Sequence, residues 1–299
     1  MSSRISDYDS FRQAVYEAAT DDSKFKNFLR HPEILKIFGH YKYENALKIW
    51  DKMSENIVSS SYFDNSLHCS FYNQDMNSLS LLPDYDYLDR FEYKPKESQF
   101  RDYFNLHSFC LEFIRVALDI QDKLNLDYLY YYQIVELGVG FLGQYMTFAG
   151  KFGKYYMIDL PEVLLLADKI IKKKSEYFNW EETDILHGWF NTEKISTFDL
   201  NRYPFHTKEL DTNGIFFSSH AFSELTREHQ LNVYENVIRH CKSGYILMNQ
   251  ISHLHGVDSM NQDEHKSKLD ELGKRDIEVH EEWPLTFKGN YVLTWADSS

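Results

Sequence analysis

"IVELGVGFLGQYMTFAGKFGKYYMIDLP" spans residues 134–161, and its reading decides how the rest of the chain is understood. Apolar runs frame Gly138, Gly140 and Gly143, spaced G-x-G-x-x-G, and the second run closes on Asp159. A strand, a tight glycine turn, a helix and a second strand fit that pattern. Glycine suits such a turn because a Cβ there would hold a ligand away from the backbone N–H groups. Asp159 lies 21 positions after Gly138 (159 − 138), where a carboxylate accepts both hydroxyls of a ribose. The stretch therefore predicts a site for an adenosine-containing cofactor and leaves open which one.

Glu136, just ahead of the turn, separates the options. A nicotinamide dinucleotide lays its pyrophosphate over the turn, where a carboxylate repels it. S-adenosylmethionine carries no phosphate; its sulfonium and ammonium are cationic, and an acid at the end of the first strand suits the ammonium. A solvated strand end is the plainer alternative for Glu136.

Outward from this stretch, apolar runs alternate with helical patterns. Strands are expected over 131–137, 154–160, 194–198, 214–220 and 244–251, with helices near 142–152, 162–178, 226–241 and 260–272. Such alternation implies right-handed crossovers and a parallel sheet with helices on both faces. The tail breaks the rhythm. "DIEVHEEW" (276–283) and "NYVLTWA" (290–296) are joined by a short "PLTFKG" connection and predict an antiparallel hairpin. A mostly parallel sheet ending in such a hairpin is the Rossmann-like α/β sheet of class I methyltransferases, and the dinucleotide-binding Rossmann domain lacks it.

Upstream, residues 1–57 have helical spacing, with Phe11, Val15, Ala18 and Ala19 recurring on one face. Residues 59–99 are polar-aromatic, and Pro83 and Pro95 interrupt any long helix. A periodic helix is expected over 100–124, with Leu106, Phe109, Phe113, Val116, Ala117 and Ile120 on its apolar face. The division expected is thus a helical region over 1–125, serving as substrate cap or oligomerisation surface, and a cofactor-binding domain over 126–299.

Composition excludes other classes. Acidic residues outnumber basic ones 46 to 32, a net charge of −14 that repels a phosphate polymer, so nucleic acid is not the expected partner. The lysines of "KIIKKK" (169–174) fit the solvated face of a helix. The N-terminus has no apolar core behind a basic start, and no apolar stretch approaches the ~20 residues that span a bilayer. Cys69, Cys110 and Cys241 are isolated and odd in number, which favours reduced thiols and a cytoplasmic setting.

"VELGVGFLGQ" resembles the first motif of S-adenosylmethionine-dependent methyltransferases, and "MIDLPEV" resembles their second. Together with "SSHAFSELTREHQLNVYENVIRHCKSGYILMNQ", these segments are similar to a family of sugar O-methyltransferases, over roughly residues 126–256. The resemblance implies methyl transfer from S-adenosylmethionine to a sugar hydroxyl, whether free, nucleotide-linked or within a glycan. It also implies that Leu160 lies against the adenine. The chain departs from the pattern at Leu142, where another glycine is expected.

In an open parallel sheet, ligands bind beyond the carboxyl ends of the strands. That singles out "SSHAFSEL" (218–225) and "NQISHLHG" (249–256). Ser219 is a cofactor contact in this scheme. A sugar hydroxyl needs a base as its bond forms, and His220, His253 and His255 are the candidates. Glu224 can orient an imidazole or take a sugar hydroxyl. For the third-strand acid that meets the adenine amine, Asp199 is preferred over Asp184 because it follows an apolar run. Some sugar methyltransferases use magnesium, which prefers oxygen ligands, so "HLH" (253–255) gives it little support and no metal ligands are assigned. Two other readings stay open: a nicotinamide oxidoreductase, and a non-catalytic binding protein with a methyltransferase-like fold.

Overall fold

The apolar runs flanking the glycine turn become neighbouring parallel strands. The structure is a computed structural model that describes residues 2–26, 90–92, 105–126, 131–148, 152–178, 192–202, 205, 208–249, 256–282 and 288–296. Two short strands, β1 (Arg90–Glu92) and β2 (Asn105–His107), pair antiparallel. Seven more follow: β3 (Gln133–Leu137), β4 (Lys154–Asp159), β5 (Thr192–Ser196), β6 (Gly214–Ser219), β7 (Ser243–Met248), β8 (Glu278–Glu281) and β9 (Tyr291–Ala296). They form one sheet in the order β5-β4-β3-β6-β7-β9-β8. The first five are mutually parallel, and β9 runs antiparallel to both β7 and β8. This is the mostly parallel sheet with a C-terminal antiparallel hairpin expected of a class I methyltransferase fold.

The chain first steps outward from β3 to β4 and β5, then returns to lay β6 on the opposite side of β3. That reversal opens a crevice at the carboxyl ends of β3 and β6, where ligands of open α/β sheets bind.

Both sheet faces are covered, and adjacent aromatics divide between them because strand side chains alternate. Phe216 joins the cluster holding Val135, Ile158, Phe222 and Trp295, and stacks on the Trp295 indole with centroids 6.3 Å apart. Phe217 meets Phe148 edge-on and Tyr245 at a tilt, with centroids 6.1 Å apart in each case. Gly244 sits opposite Trp295, and a Cβ there would come within 2.1 Å of the indole.

Several expected bounds move. The helix expected over 100–124 is Ser108–Lys123, because Asn105–His107 instead pairs with Arg90–Glu92. The helix expected over 226–241 stops at Asn236, since Val237 leaves helical geometry (φ −124°, ψ −64°), and a 3-10 turn over Ile238–His240 follows. Of the N-terminal helical region, the described part is Ser2–Thr20 and Asp22–Lys26; residues 27–57 lie outside the described residues.

Two compact units can be distinguished. One comprises residues 1–117, 141–147 and 165–180; the other comprises 118–140, 148–164 and 181–299. Within the first, Val15 and Ala18 are buried as their spacing predicts. Lys169 and Lys173, one turn apart, both reach Asp22, at 2.9 and 3.3 Å. Lys169 also donates to the carbonyl of Ala18, so only part of the "KIIKKK" face is solvated. The second unit holds the seven-stranded sheet and the candidate site.

Candidate functional site

At the reversal point the turn after β3 presses against the segment after β6. Gly138 (φ +85°) donates its N–H to Ile158 O at 2.8 Å, and an added Cβ would lie 2.1 Å from the Cβ of Ala221. No residue with a side chain fits there. Gly140 also has positive φ (+49°), but among the described residues nothing lies within 4 Å of where its Cβ would be. The space beside Gly140 lets a ligand approach the backbone at this turn.

The Gly140 N–H donates to Asp159 Oδ2 at 3.1 Å, and the Leu160 N–H donates to Oδ1 at 2.7 Å. Asp159 is only partly buried, yet its carboxylate turns inward onto the glycine turn. Lost hydration pushes its carboxyl up to about 6, against the opposing pull of the N–H groups of Leu160, Gly140 and Val139. Asp159 thus joins the end of β4 to the turn after β3.

The third glycine has a different neighbour. A Cβ at Gly143 would come within 2.0 Å of the Phe113 ring, so this position makes room for a side chain. Leu142 is fully buried and holds φ +65°, the left-handed conformation that glycine adopts without strain. The backbone keeps the shape expected of a glycine there while a leucine packs into the interior.

Glu136 is 3% exposed and accepts the Tyr155 hydroxyl proton at 2.5 Å. Burial pushes its carboxyl up to about 8; Tyr155 pulls it down, and Asp159 adds a further upward push. At neutral pH the group is therefore mostly protonated. The repulsion of a pyrophosphate assumed a full negative charge, and burial removes most of that charge. It also excludes the solvated strand end as a role for Glu136.

Beyond β6, one hydrogen-bonded turn carries the acceptor-side candidates. Ser218 Oγ donates to Leu137 O at 2.9 Å and accepts the Phe222 N–H at 3.1 Å. Ser219 ends β6 half-buried, at the same edge. His220 holds φ +65° and ψ −37°, uncommon for a side chain of its size. Its N–H donates to Leu247 O at 2.8 Å, and its carbonyl accepts from Ser223 N–H and Oγ at 3.1 and 2.5 Å. Strain of this kind, held by neighbouring bonds, clusters at functional loops. Glu224, one short helical turn (Ala221–Glu224) on, is exposed along part of its side chain, while its carboxyl accepts from Asn249 Nδ2 at 3.2 Å. Loss of water around its carboxyl pushes its pKa up, opposed by the Asn249 hydrogen bond.

Buried Gln230 braces this turn from below, donating to Phe222 O at 3.0 Å and accepting the Met260 N–H at 2.7 Å. Behind it, Tyr234 and fully buried His265 pair at 2.9 Å between oxygen and Nδ1. Asn249, Ser223, Gln230 and Tyr155 were missed from sequence. Each has a partner 19 to 30 positions away, and no local pattern marks such pairs.

Asp199 follows β5 in the 3-10 helix Thr197–Arg202, exposed and paired with Arg202 at 3.4 Å. His253, His255 and Asp184 lie outside the described residues. Among the described residues no group of three or more His, Cys, Asp or Glu could hold a metal ion. No described helix is long and apolar enough to cross a membrane. Cys241 is a buried free thiol, its pKa pushed up to about 12 by burial.

No protein-family model matches the chain, and no curated protein matches it. Solved structures with a similar fold include an O-methyltransferase family protein from Burkholderia thailandensis, 14% identical with a TM-score of 0.40. That match covers 64% of this chain and 59% of the other. A phosphoethanolamine N-methyltransferase 2 from Haemonchus contortus, in complex with phosphomonomethylethanolamine and S-adenosylhomocysteine, is 13% identical with a TM-score of 0.44. Here 61% of this chain covers 52% of that one. An S-adenosylmethionine-dependent methyltransferase from Clostridium acetobutylicum is 10% identical with a TM-score of 0.43, over 63% of this chain and 90% of its own. The chain thus spans little more than half the length of the first two.

Proposed function

We propose that the chain is an S-adenosylmethionine-dependent methyltransferase whose acceptor is a hydroxyl group, with a sugar as the acceptor class that the sequence resemblance supplies. The observation that carries this reading is the crevice between β3 and β6. There an open glycine turn, a carboxylate tied to it and a strained histidine meet at the carboxyl edge of a sheet closed by an antiparallel hairpin.

In this reading Asp159 takes the ribose hydroxyls, and Leu160 and Asp199 border the adenine. The backbone at Gly138 and Gly140 allows close approach, with Ser219 lining the same edge. Glu136 supplies the acid for the amino group, giving up its proton as a cation arrives. The bound cofactor supplies an electrophilic methyl group. His220 takes the proton that the acceptor oxygen releases as it bonds to carbon, and Glu224 binds the acceptor beside it. His253 is the second candidate for the proton. Residues 1–125 are proposed as a cap or oligomerisation region, with a cytoplasmic setting.

Incubation with S-adenosylmethionine and a panel of free hexoses and sugar nucleotides, followed by mass spectrometry, tests the acceptor class. A mass gain of one methyl group on a sugar supports the reading. Cofactor turnover with methyl gain only on amines overturns the hydroxyl acceptor.

A further inference from the structure

Asn249 was not among the expected site residues, yet it holds the acceptor-side turn at two points. Its backbone N–H donates to Ser223 Oγ at 3.1 Å, and Ser223 Oγ in turn donates to the carbonyl of His220 at 2.5 Å. Its side-chain amide donates to Glu224 Oε1 at 3.2 Å. Asn249 itself is 5% exposed and directly follows β7, so its position is fixed by the sheet. Among the described residues no hydrogen bond to Glu224 Oε2 is found, and Glu224 is exposed.

We infer that Asn249 is a positioning residue that clamps Glu224 by one carboxylate oxygen, so that the other accepts a second hydroxyl of a polyhydroxylated acceptor. The inference rests on the methyltransferase reading and deepens it by naming the acceptor's chemistry. A base needs one hydroxyl, whereas a separately clamped carboxylate beside it selects molecules carrying a neighbouring hydroxyl. A carboxylate fixed in one rotamer loses less freedom on binding than one that swings freely. The two influences on Glu224's titration are burial and the Asn249 amide, so removing the amide has a signed consequence.

The test compares wild type with Asn249→Ala and Glu224→Gln, all loaded with S-adenosylhomocysteine. Asn249→Ala keeps the backbone N–H to Ser223, and Asn249→Ser replaces it if circular dichroism shows a fold change. Carbon-13 NMR of Glu224 is expected to show its titration midpoint rising by roughly half to one pH unit in Asn249→Ala. With the sugar acceptor from the mass-spectrometric screen, KM for the acceptor is expected to rise on the order of tenfold in both variants. The expected change in kcat is less than about threefold, and S-adenosylhomocysteine affinity stays within about twofold. An unchanged Glu224 midpoint overturns the clamp. A fall in S-adenosylhomocysteine affinity equal to the rise in acceptor KM overturns it too, because Asn249 would then serve the cofactor or the fold. Failure of wild type to bind S-adenosylhomocysteine overturns the parent reading, while the Glu224 midpoint still decides the clamp.

Discussion

Replacing Glu136 with Gln should alter how stability depends on pH, in an amount the structure allows to be worked out. The carboxyl is raised from an ordinary 4.5 to about 8 by burial, so the folded chain holds a proton that the unfolded chain has released. For a raised pKa, the stabilisation is complete below the unfolded value and erodes as pH rises through the folded one. Asp159 is raised only to about 6, so the interval from about pH 6.5 to 8.5 reports mainly on Glu136. Across that interval the folded group binds a proton for a little under three-quarters of the range, which at ~1.4 kcal/mol per pH unit gives a loss of about 2 kcal/mol. Glu136→Gln keeps the size of the side chain and an oxygen for Tyr155, and it cannot ionise. Urea denaturation at several pH values should show wild type losing about 2 kcal/mol more than Glu136→Gln between those limits. Groups common to the two proteins cancel in the difference. Parallel curves for the two would refute the buried, protonated carboxyl. The same state predicts that binding S-adenosylmethionine near pH 7 releases close to one proton, read by calorimetry in buffers of different ionisation enthalpy.

Gly138→Ala would drive a methyl group into Ala221 at positive φ and should destabilise the fold by about 1–3 kcal/mol. It should also weaken S-adenosylhomocysteine binding at least tenfold, both effects readable in one thermal-shift titration. Leu142→Gly relieves a left-handed leucine, a gain of about 1–2 kcal/mol, but empties a fully buried site at a cost of about 2–5 kcal/mol. Net destabilisation by urea denaturation is therefore expected. His220→Asn suits the left-handed conformation and should leave stability within about 1 kcal/mol of wild type, while methyl transfer falls on the order of a hundredfold. Full turnover in both His220→Asn and His253→Ala would remove the imidazole base.

The frame of the site was legible because it is local. Glycines, a strand-end acid and a two-strand tail sit within short windows, and Gly138, Asp159 and β8–β9 lie where those windows put them. What escaped depends on contacts between distant segments. Asn105–His107 resembles the first turn of the periodic helix behind it, and only its pairing with Arg90–Glu92 makes it a strand. Glu136 shows its charge in sequence but not the burial that neutralises it. Gly143 fits the ligand motif by spacing, while its close neighbour is Phe113, 30 positions earlier (143 − 113). Asn249 is one polar residue at a strand end until Ser223 and Glu224 are brought beside it.

Calorimetric titration of wild type and Asp159→Ala with S-adenosylhomocysteine and with NAD bears most directly on the reading of the β3–β6 crevice. The expected result is saturable 1:1 binding of S-adenosylhomocysteine to wild type, weakened at least about tenfold by Asp159→Ala through loss of a charge-assisted ribose contact, with no heat from NAD. Saturable NAD binding without any response to S-adenosylhomocysteine would contradict it.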